Sequence, residues 1–181
     1  FRPGGVNPAL VTPFSKDQSV DEVAFRALIR SVIDDVDGLV PCGTTGEFNY
    51  LTSEENARLV QIAVEECQGK PVIAGTGAPG TKQALTLARN AQEAGATACL
   101  IVCPYFFHPS DKGIYQHYYT FANALPDMPI ILYNIPQFTQ ELTLDIMEEL
   151  LPFERIVGTK DSSRDLPRLI NTMHRLRAQR P

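Results

Sequence analysis

Val6-Asn7-Pro8-Ala9-Leu10-Val11-Thr12-Pro13-Phe14 is the stretch that decides the fold. It reads as an apolar strand running into a Thr-Pro-Phe turn. A dinucleotide-binding sheet carries a glycine-rich turn directly after its first strand, so that the backbone can approach a pyrophosphate. Thr12-Pro13-Phe14 contains no glycine. The choice between a doubly wound sheet and a (β/α)8 barrel therefore moves towards the barrel.

The pattern downstream has the same form, repeated. Strand-like apolar runs are expected at Val6–Val11, Gly38–Cys42, Val72–Gly75, Ala98–Cys103, Pro129–Asn134 and Ile156–Lys160. Nearly continuous apolar runs are the mark of parallel strands covered on both faces. Amphipathic helical patterns alternate with them at Asp21–Val36, Ser53–Cys67, Thr81–Ala94, Lys112–Leu125, Leu144–Leu150 and Leu166–Arg177. Ser19 with Glu22 and Thr52 with Glu55 have capping-box spacing, and Gly69 and Gly95 fall where helices should stop. No linker, low-complexity stretch or charge block interrupts the series. Residues 1–181 read as one domain holding the first six βα units of a (β/α)8 barrel. Such barrels run to roughly 250 residues, so the expectation is a fragment lacking its C-terminal units rather than a natural short enzyme.

Composition limits the function classes. Hydrophobic residues at 44% and charged residues at 20% describe an ordinary globular chain. The net charge of −5 and the lack of a basic cluster argue against nucleic acid as a partner. The basic residues from Arg164 to Arg180 are spread over a helical pattern, as on a solvated face. No apolar run is long enough to cross a bilayer, and no signal peptide is visible, which gives a cytoplasmic expectation. Cys42, Cys67, Cys99 and Cys103 have neither disulfide-like nor zinc-like spacing and read as reduced core thiols. His108, His117 and His174 are scattered, so no metal site is expected.

Polar and small residues gather at the strand ends: Thr12, Gly43–Glu47, Thr76-Gly77, Tyr105, Tyr133-Asn134 and Lys160-Asp161. Barrel active sites are built from those ends. Lys160 is the most telling of them. An ammonium at the tip of a core strand is costly to bury, and the usual reasons are an ion pair, a phosphate contact or a nucleophilic amine. In Gly43-Thr44-Thr45-Gly46-Glu47, two glycines bracket two hydroxyls. Exposed N–H groups and hydroxyls there can hold a carboxylate, though the same residues also suit a tight turn. Tyr133 ends the strand next to that of Lys160, and a phenol beside an amine can relay protons.

Taken together, Pro8–Phe14, Gly43–Glu47, Gly75-Thr76-Gly77, Pro104-Tyr105, Tyr133–Pro136 and Gly158–Asp161 make the chain resemble the dihydrodipicolinate synthase/N-acetylneuraminate lyase family of pyruvate-dependent class I aldolases. The stretches occur in family order over nearly the whole chain. The resemblance implies a Schiff base between Lys160 and a 2-oxo acid such as pyruvate, with no cofactor and no metal. It implies Tyr133 as general acid/base, and Thr44 as its link into a proton relay. Thr45 and Gly46 would hold the pyruvate carboxylate, with Thr12, Tyr105 and Phe138 as further substrate-binding positions. The partners implied are a 2-oxo acid, an aldehyde, and further copies of the chain in a dimer or tetramer.

Departures from the family pattern shape the finer expectation. Dihydrodipicolinate synthases usually carry an arginine where Phe138 stands, and phenylalanine cannot make a bidentate contact to a carboxylate. A tyrosine that many members lend across a dimer interface falls at Phe106. Phe48, Ser53, Asn56 and Pro79 occupy the region that is polar in lysine-inhibited synthases, which argues against lysine feedback. The expected reaction is cleavage or formation of a 2-keto-3-deoxy sugar acid or a related keto acid, as in neuraminate lyases or 2-keto-3-deoxygluconate aldolases. The alternatives are 4-hydroxy-tetrahydrodipicolinate synthase, a non-catalytic truncated member, and a phosphate-binding barrel that uses Lys160 as a point charge.

Overall fold

The computed structural model describes residues 1–179. Its frame is a parallel sheet of β1 (Ile73–Gly75), β2 (Ala98–Val102), β3 (Ile130–Asn134) and β4 (Ile156–Asp161), paired in the order β1-β2-β3-β4. Two extended segments precede β1 and continue the same order. The strands expected at Val6–Val11 and Gly38–Cys42 are reduced to single parallel bridges, Ala9 to Val40 and Leu39 to Val72. Proline is the reason: Pro8 and Pro41 have no N–H to give to a ladder. Enough bonds remain to hold the order, with Leu10 N donating to Val40 O at 3.0 Å and Ile73 N to Leu39 O at 2.8 Å. In a doubly wound sheet the strand order reverses at a switch point. Here every segment lies beside its successor in sequence, as in the wall of a barrel.

The crossovers are α1 (Glu22–Val32), α2 (Ser53–Glu66), α3 (Thr81–Glu93), α4 (Asp111–Ala124) and α5 (Leu144–Leu150), and α6 (Leu166–Gln179) follows β4. The capping box at Thr52 is complete: its hydroxyl accepts from Glu55 N at 3.2 Å, and the Glu55 carboxylate accepts from Thr52 N at 2.8 Å. The box expected of Ser19 and Glu22 does not form. Asp21 caps α1 instead, accepting from Ala24 N at 2.9 Å, while the Ser19 hydroxyl donates to Asp17 at 2.7 Å. Helix α1 is also shorter than expected, passing into a 3-10 turn over Ile33–Asp35. Gly95, with φ of 91°, ends α3 in a left-handed conformation that a Cβ would strain. Ion pairs tie α1 to α2: Arg26 and Arg30 both meet Glu66, and Arg58 meets Glu22.

Strand alternation separates two apolar layers. Cys99 and Ile101 of β2, with Ile130 and Leu132 of β3, face the helices in the larger core. Ala98, Leu100 and Val102, with Ile131 and Tyr133, face the other way and meet Val40, Ile73 and Ile135 in a smaller cluster. Helices α1–α5 thus pack on one side of the sheet, and the opposite side is an inner face carrying the smaller cluster. Each fully buried Val, Leu or Ile contributes about 1.5–3 kcal/mol, so both layers hold the strand ends in place. The four cysteines are buried and free. Burial pushes the Cys42 and Cys99 thiols up to about 12 and Cys103 up to about 11, as for inert core thiols. Among the described residues no helix is long and apolar enough to cross a membrane.

Candidate active site

The register of the last two strands sets the site. Tyr133 is paired with Lys160 and Asn134 with Asp161. Ladder partners share a face and successive residues alternate. Tyr133 and Lys160 therefore project together to the inner face, and Asn134 and Asp161 project to the helix side. Lys160 Nζ lies 4.3 Å from the centroid of the Tyr133 ring, within cation–π range. Tyr133 is buried, and Lys160 is half-buried at the open end of the sheet.

The loop Gly43–Glu47 reaches this pair from across the sheet. Thr44 Oγ1 stands 3.4 Å from the Tyr133 hydroxyl. Gly75 explains how the loop sits so close: a Cβ there would come within 1.9 Å of the Cys42 carbonyl oxygen. Cys42 and Glu47, which bracket the loop, both have a left-handed φ of 56°. Thr12 is buried, and its hydroxyl donates to the Gly46 carbonyl at 2.7 Å. Thr12 thereby pins the loop, with Gly46 buried behind it and Thr45 exposed in front. The sequence missed Ser162, whose hydroxyl donates to the Tyr133 hydroxyl at 3.4 Å. Its only signal was its place in the Lys-Asp-Ser-Ser run.

On the helix side, Asp161 anchors the strand end. It accepts from Asn134 Nδ2 at 2.9 Å and from Ser163 N at 2.8 Å, and it pairs with Arg168. Desolvation works to raise its pKa, but the Ser163, Asn134 and Arg168 donors outweigh it and hold the carboxyl below its ordinary value. Asn134 is fully buried, and its side-chain Oδ1 accepts from Leu142 N at 3.0 Å.

The remaining expected positions shape the mouth. Tyr105 is half-buried and packs edge-on against Phe48, centroids 5.9 Å apart, and desolvation raises its pKa. Phe138 is 68% exposed, and Phe106 is 85% exposed on a left-handed backbone with φ of 77°. Thr44, Phe48, Tyr105 and Phe138 line one cavity of about 500 Å³. Among the described residues no group of three His, Cys, Asp or Glu side chains could hold a metal ion.

A profile of the dihydrodipicolinate synthetase family matches residues 2–179. The chain belongs to this family. A 4-hydroxy-tetrahydrodipicolinate synthase of Rhodospirillum centenum is 43% identical over 167 residues, covering 91% of the chain and 57% of that protein. The dihydrodipicolinate synthase of Aquifex aeolicus superposes with a TM-score of 0.89 at 39% identity, over 94% of the chain and 59% of that structure. The chloride-inhibited synthase of Acinetobacter baumannii, solved in complex with pyruvate, superposes with a TM-score of 0.92 at 36% identity, over 97% of the chain and 61% of that structure. The chain thus spans less than two thirds of the length of these family members. Its fold is the corresponding part of their barrel.

Proposed function

We propose that the protein of this sequence is a class I lyase that works through a Schiff base on Lys160 with pyruvate or another 2-oxo acid. The pairing of Tyr133 with Lys160, with Thr44 Oγ1 at 3.4 Å from the phenol, is the observation that carries this reading. Lys160 adds to the keto carbon, and loss of water leaves an iminium. The Tyr133 phenolate, left when the phenol protonates the departing water, takes a proton from the adjacent carbon to give an enamine, which attacks an aldehyde carbon. The electron pair of the aldehyde C=O moves to its oxygen, which takes a proton from Tyr133. Water then hydrolyses the iminium and frees Lys160. Cleavage is the same path reversed. Thr44 and Ser162 hold the phenol for that proton transfer, and the loop around Thr45 and Gly46 offers N–H groups and a hydroxyl to the carboxylate. A pyruvate complex of a 36% identical synthase supports the choice of 2-oxo acid.

The name shared by the curated relatives favours 4-hydroxy-tetrahydrodipicolinate synthase over the keto-sugar-acid reaction expected from sequence. Phe138, standing where such synthases carry an arginine, is the observation against it. A homo-oligomer, dimer or tetramer, in the cytoplasm belongs to the same reading.

Borohydride trapping with pyruvate tests the proposal. A reduced adduct mapped to Lys160, and lost in Lys160→Ala, is expected. Tyr133→Phe should still bind pyruvate but lower kcat about a hundredfold. A folded protein that gives no adduct, or one on another lysine, overturns the reading.

A further inference from the structure

We infer that Ser162 is a positioning residue for the proton transfers of this site: its hydroxyl and that of Thr44 converge on the Tyr133 oxygen and support it as a phenolate around enamine formation. The inference rests on the imine-forming reading and adds a residue to it. Ser162 Oγ donates to Tyr133 Oη at 3.4 Å, and Thr44 Oγ1 stands 3.4 Å from the same oxygen. The two hydroxyls reach it from separate, fixed elements. Ser162 directly follows β4, and its N–H donates to the Asn134 backbone carbonyl at 2.9 Å, so the pairing of β3 with β4 continues through it. Two residues beyond Lys160 on one extended segment, it projects to the same inner face. Thr44 comes from the loop that Thr12 fastens through the Gly46 carbonyl at 2.7 Å. Contacts of 3.4 Å are long for a pair of hydroxyls, and catalytic bonds of this kind tighten in the substrate complex.

The chemistry asks for such a pair. The phenol gives its proton to the departing water, and the phenolate regains one from the carbon beside the iminium. In the carbon–carbon step the phenol gives that proton to the aldehyde oxygen. Negative charge therefore rests on Tyr133 Oη twice in each cycle. Tyr133 is only 5% exposed, and a buried oxyanion is costly without donors. A phenol oxygen accepts as well as donates. With Ser162 donating to it, and Thr44 able to donate too, its own proton is left for the substrate. When that proton leaves, two O–H donors already face the oxygen, and such charge-assisted bonds are the strong ones. Lys160 Nζ stands over the ring, 4.3 Å from its centroid, so direct bonds to the oxygen come from the two hydroxyls.

The test uses the full natural protein with pyruvate alone, so that no aldehyde has to be known. Exchange of the pyruvate methyl hydrogens in heavy water, followed by proton NMR, reports enamine formation, and borohydride trapping reports the imine. Ser162→Ala is expected to lower exchange about tenfold or more, as for the loss of one hydrogen bond to a charged oxygen, while trapping at Lys160 changes less than about twofold. Ser162→Thr, which keeps a hydroxyl, should restore most of the exchange. Adding Ser162→Ala to Tyr133→Phe should bring no further loss, since the hydroxyl acts through the phenol. Undiminished exchange in Ser162→Ala overturns the inference. So does an equal loss of exchange and trapping, which marks a structural role. A further loss of about tenfold in the Tyr133→Phe background overturns it too, by giving Ser162 a function apart from the phenol. No adduct on Lys160 in the unaltered protein refutes the underlying reading, and the inference falls with it.

Discussion

Asn134→Leu removes one buried amide of nearly the same volume and should damage the protein in two measurable ways. Asn134 is fully buried, donates to Asp161 at 2.9 Å and accepts from Leu142 N at 3.0 Å. The substitution leaves a buried backbone N–H without its acceptor, at about 1–3 kcal/mol. It also takes one charge-assisted bond from Asp161, worth about 1.5–3 kcal/mol. Ser163 and Arg168 still hold the carboxylate, so the sum falls near the lower end, at about 3 kcal/mol. That is a large part of the roughly 5–15 kcal/mol that keeps a domain folded. Urea unfolding should show a lower midpoint with an unchanged m-value. The second effect is local: Asn134 and Asp161 are ladder neighbours of Tyr133 and Lys160, so a loosened strand end should slow imine trapping at Lys160 under conditions where the variant is folded. A stability loss under about 1 kcal/mol would refute the hydrogen-bond accounting. Undiminished trapping in a destabilised variant would refute the claim that this outer pair positions the inner one.

Gly75→Ala places a Cβ 1.9 Å from the Cys42 carbonyl oxygen, a backbone atom that cannot step aside; thermal unfolding should show a loss of about 3 kcal/mol or more, with Thr44 displaced from Tyr133. His117 is buried with Nδ1 2.8 Å from Thr81 Oγ1. Burial pulls its pKa from 6.5 to about 4, with the Val102 backbone pulling weakly the other way. The unfolded chain therefore takes up this proton near pH 6.5 and the folded chain only near 4. Stability should fall as pH drops through that window, by about 3 kcal/mol in total. His117→Gln should flatten that slope in urea titrations across the window; an unchanged slope would assign it to other groups.

Several features of this protein were legible in the residues alone. The alternation of apolar runs and amphipathic segments, with no glycine at Thr12-Pro13-Phe14, favoured a barrel; four of the six expected strands form a ladder and the first two are single bridges. Periodicity is a local property and survives without tertiary information. The Thr52–Glu55 cap and the stop at Gly95 were legible for the same reason. Lys160, Tyr133 and the Gly-Thr-Thr-Gly-Glu loop stood out because lysine, tyrosine and paired hydroxyls are costly or unusual at the ends of apolar strands. Only the tertiary structure decided how these residues meet. The register that pairs Tyr133 with Lys160 includes a shift between Ile130 and Ile131, and a one-residue slip sends a side chain to the opposite face. The contact of Ser162 with the phenol and the split between the inner Tyr133–Lys160 pair and the outer Asn134–Asp161 pair depend on that register, and the role of Thr12 as a pin on Gly46 depends on long-range packing of the loops. So does the aromatic mouth, since Phe48, Tyr105 and Phe138 come from three separate strand ends and share no sequence pattern. Local physics chose the elements and their chemistry; long-range pairing chose which side chains share a space.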